Sequence, residues 1–203
     1  MRGPVDRLTA GLPSPWRTVV DWVVTIAVAV AAVLAIKAWV VNPYRIPSSS
    51  MEPTLHCAEP GPGCEARFSD RVLANRFIYH FKDPERGDII VFEVPERGIE
   101  RCRLSGSETF VKRVVGLPGE TVEGRRGQVL IDGKPLDEPY LDPLAREGIT
   151  SFRRERIPDG EYFMMGDNRG QSCDSREWGS VPRDNIIGEV FAVYWPPQRI
   201  GFR

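Results

Sequence analysis

The chain has 203 residues, with 27 Lys+Arg against 28 Asp+Glu and a net charge of −1. That balance excludes nucleic-acid binding driven by bulk charge. An apolar content of 41% excludes pervasive disorder, and four cysteines in a chain of this length exclude a disulfide-dense miniprotein.

The cations narrow the chemistry. The only lysines are Lys37, Lys82, Lys112 and Lys134, the only histidines His56 and His80, and every other cation is arginine. Arginine does not release its proton inside a protein. Proton transfer must therefore use a carboxylate, a histidine or one of those lysines.

Residues 1–18 carry Arg2, Arg7 and Arg17 against Asp6 and form a short N-terminal segment. The run Trp22–Ile36 has no charge, and Trp22–Val41 is about 30 Å long as a helix, the thickness of a hydrocarbon core. Lys37 can snorkel from one end, and Trp16, Trp22, Trp39 and Tyr44 suit the interfacial belts. A cleavable leader would have a shorter apolar region followed by small residues, whereas this run ends in Trp39 and Val40. The sequence predicts a retained single transmembrane anchor over 19–41. The arginine excess before it puts 1–18 in the cytoplasm and 42–203 on the extracytoplasmic side of the plasma membrane.

After residue 42 short β-like runs replace the helical period. They are Arg71–Tyr79, Asp88–Val94, Thr109–Val115, Val129–Ile131, Glu161–Met165 and Ile186–Trp195. Leu117-Pro118-Gly119-Glu120 reads as a type II turn and Asp132-Gly133 as a hairpin turn. No nucleotide fingerprint or alternating β/α pattern occurs. The expected fold is mostly antiparallel β over 42–203, on a single N-terminal transmembrane helix. Segment 121–161, rich in Gly, Pro and charge, reads as a small appended subdomain or a long excursion of the sheet. Its basic run Arg153–Arg156 reads as a solvated face, with anionic lipid headgroups as the alternative. Cys57 and Cys64 bracket a turn-rich AEPGPG and are expected to pair. A metal site using His56, Cys57 and Cys64 fits no zinc spacing well. Cys102 and Cys173 are left open between pairing and free thiols.

Three segments are dense in reactive residues. In Tyr44–Leu55, Ser48, Ser49 and Ser50 sit between Pro47 and Pro53, which stiffen the backbone. A serine on such a loop suits a nucleophile. A serine-rich linker is the alternative, weakened by Ile46, Met51 and Leu55. In Thr109–Val115, alternation places Phe110, Lys112 and Val114 on one face and Val111, Arg113 and Val115 on the other. Either a cation lies among apolar neighbours, which depresses a lysine pKa and makes a base of it, or the strand is an edge with exposed Lys and Arg. The third segment, Gly166–Val181, is a polar loop. There Asp167 and Asn168 suit turn hydrogen bonds, and Asp174 and Arg176 suit an ion pair.

Taken together, PSSSMEPTL at 47–55, KRVVGLPGE at 112–120 and GDNRGQSCDSREWGSVP at 166–182 resemble the boxes of type I signal peptidases, in family order after a membrane span. The resemblance implies a Ser–Lys dyad on a signal-peptidase-like antiparallel β fold. Ser50 matches the nucleophile, Lys112 the general base, Ser48 the oxyanion-hole donor beside the Ser50 amide, and Ser172 the serine that orients the lysine. Asp167, Asp174 and Arg176 match loop-bracing positions. Ile46, Met51, Leu55 and Val111 match positions lining shallow pockets for small side chains. Gly170-Gln171 and Cys173 depart from the residues usual at their positions. The resemblance implies endopeptidase action on preprotein signal peptides at a lipid surface, with small residues at −1 and −3 of the substrate. It implies no metal, no organic cofactor and no nucleic acid. Three rivals stand beside it: a Ser-His-Asp hydrolase using His56 or His80; a repressor-type Ser–Lys autoprotease, which would need a DNA-binding domain that residues 1–41 are not expected to supply; and a catalytically silent membrane-tethered β module that binds peptides or partners.

Overall fold

The structure is a computed structural model. It describes residues 14–39, 41–106, 108–141 and 151–203, without the side chains of residues 14, 15, 17 and 35–39. The chain divides into two compact units, Met1–Val41 and Asn42–Arg203.

The described part of the first unit is one helix, α1 (Ser14–Trp39). Residues 25–34 within it are all exposed. Among the described residues no helix is long and apolar enough to cross a membrane. Several features of the expected anchor lie outside the described part: the segment 1–13, the side chains of Lys37 and Trp39, and Val40.

Among the described residues the second unit carries twelve strands, the first of them β1 (Val41–Arg45). The main sheet runs β1, β2 (Arg71–Asn75), β11 (Ile186–Trp195), β3 (Ile89–Glu93), β4 (Thr109–Gly116), β9 (Glu161–Met165) and β10 (Val181–Pro182), with β12 (Gly201–Phe202) also on β11. The register between β3 and β4 sets Ile90 opposite Lys112 and Ile89 opposite Arg113. In β3, Ile89–Phe92 are all buried, so this strand is covered on both faces, as its unbroken apolar run requires. Each such side chain adds roughly 1.5–3 kcal/mol of burial.

β2 is shorter than the run Arg71–Tyr79 predicts. The Asn75 side chain accepts from Phe77 N (2.9 Å) and Ile78 N (3.2 Å), which turns the chain into a 3-10 turn at Ile78–His80. Two turns form as their sequences dictate. Asp132 and Gly133 both have positive φ, +50° and +78°, in a hairpin joining β6 (Gln128–Ile131) to β7 (Lys134–Pro135). Gly119 has φ +82° in the turn closed by Glu120 N to Leu117 O.

The described part of 121–161 forms a second sheet, β7-β6-β5-β8, from β5 (Thr121–Arg125), β6, β7 and β8 (Phe152–Arg156). Its apolar side does not close on itself. Val122, Val129 and Ile157 pack with Val115, Phe163 and Met165 of β4 and β9. It is therefore an excursion of the main sheet with a shared core. The run Arg153–Arg156 is the exposed part of edge strand β8.

Candidate active site

β4 places the central cation. It pairs with β3 along Thr109–Arg113 but with β9 only from Arg113 onward. The other edge of Thr109–Lys112 thus has no strand partner among the described residues. The edge-strand reading with exposed cations does not hold for this pair: Lys112 is 3% exposed and Arg113 7%. The 46–55 loop meets Lys112 through Ser50, and Asp167, just after β9, meets Arg113.

Ser50 comes from that loop. Residues Ser49–Met51 form one 3-10 turn, closed by Glu52 N donating to Ser49 O (3.0 Å), so the Ser50 amide precedes the first bond of the turn. Leu55 N donates to Met51 O and curls the chain inward. Lys112 Nζ donates to Ser50 Oγ at 2.6 Å, with Ser50 only 8% exposed. Ser48 Oγ lies 3.3 Å from Ser50 Oγ and is exposed. Burial lowers the Lys112 pKa to about 8; Asp174 and Asp167 oppose that shift and Arg176 adds to it.

A cleft of about 370 Å³ opens at this pair, lined by Ser48, Ser50 and Lys112 together with Ile46, Met51 and Val111. Two expected positions fall elsewhere. Leu55 is fully buried in the core with Val72, Val91 and Val190 and does not line the cleft, because the turn after Met51 points it inward. Ser172 Oγ is buried without a hydrogen-bond partner among the described residues, so no bond from it orients Lys112. It is turned onto Gly166, where a Cβ would lie 2.3 Å from it.

The 166–176 loop backs the pair. Asp167 is fully buried and accepts from Arg113 Nε (2.9 Å), Arg113 Nη2 (2.6 Å) and Thr54 Oγ1 (2.5 Å). Arg176 Nε donates to Asp174 Oδ1 at 2.8 Å, and Asp174 Oδ2 accepts from Gly166 N at 3.0 Å. Asn168 N donates to Ser50 O at 3.1 Å. Both departures from the family pattern have a local partner. Gln171 Oε1 accepts from Ser49 Oγ at 2.8 Å, and Cys173 is disulfide-bonded to Cys102. Cys57 and Cys64 form the other disulfide, so neither is a thiolate for a metal. Their loop reaches the site, since Pro62 O also accepts from Ser49 Oγ (3.0 Å). Neither histidine bonds Ser50: His56 Nδ1 meets Glu52 and His80 stacks on Phe77.

Sequence reasoning missed Arg113, Thr54, Ser49, Glu138 and Arg169 as parts of this architecture. Only Arg113 carried a signal, as a second cation on a strand with apolar residues on both faces.

A family model for signal peptidases, peptidase S26, matches residues 19–195. The chain belongs to the type I signal peptidase family. Among its relatives, a signal peptidase I of Leptolyngbya laminosa is 38% identical over 198 residues, 98% of this chain and 90% of that one. A probable signal peptidase I-1 of a Synechocystis species is 39% identical over 190 residues, 94% and 89% of the two chains. A thylakoidal processing peptidase of Arabidopsis thaliana is 34% identical over 175 residues, 85% of this chain and 47% of that one. A crystal structure of a signal peptidase I from Enterococcus faecalis aligns with a TM-score of 0.42 at 32% identity, over 54% of this chain and 97% of that one.

Proposed function

We propose that this member of the signal peptidase family is a membrane-anchored serine endopeptidase that removes signal peptides from exported preproteins. Ser50 is the nucleophile and Lys112 the general base. The observation that carries the assignment is the 2.6 Å contact between Lys112 Nζ and Ser50 Oγ, in a site from which water is largely excluded.

With a pKa of about 8, roughly a tenth of Lys112 is neutral at pH 7. In the neutral form the hydrogen bond reverses and the Ser50 hydroxyl donates to Nζ. The proton passes to Nζ as Oγ bonds the scissile carbonyl carbon. The oxyanion is met by the Ser50 amide and by Ser48 Oγ, each such donor contributing about 3 kcal/mol. The C–N bond then breaks as Nζ returns the proton to the leaving amine. Water attacks the acyl ester with Lys112 again as base, and Ser50 is regenerated. The sequence of steps needs no metal and no organic cofactor.

An extended substrate adds alongside Thr109–Lys112, the free edge of β4, by backbone hydrogen bonds. Ile46, Met51 and Val111 leave a shallow apolar floor that suits small side chains at −1 and −3. Residues 19–41 anchor the enzyme with 42–203 on the extracytoplasmic side. The uncharged run Trp22–Ile36 and the all-round exposure of residues 25–34 support the anchor, and the arginine excess before it supports the orientation. Anchoring raises the effective concentration of membrane-presented substrate.

The test is cleavage of an Ala-x-Ala preprotein by detergent-solubilised enzyme. Wild type cleaves it at one site, and Ser50→Ala and Lys112→Ala do not. Cleavage retained in Ser50→Ala sinks the assignment.

A further inference from the structure

We propose that Glu138, a residue outside the cleft, is a positioning residue for the reacting serine, acting through Arg169. The proposal rests on the peptidase reading and extends it to the segment that follows β7.

Glu138 follows β7 and is 5% exposed; Arg169, at 2%, is the largest fully buried side chain among the described residues. The two carboxylate oxygens meet the guanidinium in a fork: Arg169 Nη1 donates to Oε2 at 3.2 Å and Nη2 donates to Oε1. Tyr140 Oη also donates to Glu138 Oε1, at 2.8 Å, and the Tyr140 ring lies under the Arg113 guanidinium, 4.0 Å from its centroid. The segment after β7 thus reaches both arginines that brace the catalytic loop.

Arg169 then passes this constraint to one peptide. Its Nε donates to Gly166 O at 3.1 Å, while Asp174 holds Gly166 N. Its own carbonyl accepts from Arg176 Nη2 at 2.8 Å. Gly166 is therefore fixed at both polar groups, and it is the wall on which the nucleophile rests. A Cβ there would lie 2.4 Å from Ser50 O. Asn168 N donates to Ser50 O at 3.1 Å, so a shift of the 166–168 backbone is passed to Ser50 and changes its position relative to Lys112. Removing the Glu138 charge leaves a buried guanidinium unpaired, and it will seek Asp167, Asp174 or water. Each of those outcomes displaces the wall. A displacement of about 1 Å between reacting groups costs up to about a hundredfold in rate.

The experiment uses the full chain in detergent with a signal-peptide-derived fluorogenic peptide, and compares wild type, Glu138→Gln, Glu138→Asp and Tyr140→Phe. Rates are taken per folded molecule, well below each melting temperature. Glu138→Gln is expected to lower kcat about tenfold with KM changed less than about twofold, and Glu138→Asp to recover part of the loss. The pH midpoint of kcat/KM is the second readout. The charged groups that act on Lys112 are Asp167, Asp174 and Arg176. A loosened, wetter site moves the midpoint upward, toward that of a free lysine, whereas a merely structural role leaves both midpoint and kcat in place. If Glu138→Gln does not fold, Tyr140→Phe keeps the ring and removes one hydrogen bond; it is expected to lower kcat about two- to threefold. Unchanged kcat and midpoint in the folded variants overturn the proposal. Activity in Ser50→Ala would instead overturn the peptidase reading.

Discussion

Two adjacent cations on β4 are both buried, and their environments differ in one respect. Arg113 faces a carboxylate in fork geometry, whereas among the described residues the side chain of Lys112 bonds a hydroxyl. Burial presses on both. At Arg113 the hydrogen bonds and charge of Asp167 outweigh it and the pKa is raised; at Lys112 the nearby Asp174 and Asp167 fall short and the pKa is lowered to about 8. A buried cation with a bonded counterion stays a cation and serves as a brace. One without a bonded counterion becomes available as a base.

The comparison breaks most visibly at the reacting pair. Ser50→Ala, Lys112→Ala and Lys112→Arg are each expected to lower kcat by more than about 10³-fold, because arginine does not supply a neutral nitrogen. His80→Ala should leave preprotein cleavage within about twofold, as the surface position of its ring dictates. Next comes the brace. Asp167→Ala strands the Arg113 guanidinium and should cost about 3–5 kcal/mol in denaturant unfolding.

Stability against pH sharpens the contrast. The folded-state pKa of Lys112 lies below its unfolded value of about 10.4, so the unfolded chain binds the proton more tightly. The resulting penalty is fully present below pH about 8 and disappears as pH rises toward about 10.4. Lys112→Met should therefore raise stability at pH 7 by up to roughly 3 kcal/mol, with the gain fading over that window. Ser48→Ala, the mildest of the active-site changes, should lower kcat about 10²-fold with little change in KM.

The sequence carried the parts of this account that depend on local pattern. Ile186–Trp195 was readable as a strand from its own composition, and Asp132-Gly133 and Pro118-Gly119 as turns, because positive φ at glycine is a local demand. Alternation along Thr109–Val115 showed that a cation meets apolar neighbours. It could not show that both faces are covered, since the cover comes from distant segments: Val114 packs with Tyr162 and Trp178, and Val115 with Val122, Val129 and Ile157. The Glu138–Arg169 fork joins the segment after β7 to the 3-10 turn at Arg169–Gln171, and no period or motif marks it. Ser49 bonding to Gln171 was hidden for the same reason. Leu55 and Ser172 departed from the motif-based expectation because a motif gives residue type and order, while a single turn or rotamer decides where a side chain points.

The central claim is that Lys112 is an amine poised between its charged and neutral forms. Its direct test is a heteronuclear NMR titration of the Lys112 Nζ resonance in the full chain in detergent micelles, carried out in Ser50→Ala to prevent self-cleavage. The account predicts a midpoint near pH 8. A midpoint near 10.4, the value of a solvated lysine, would contradict it.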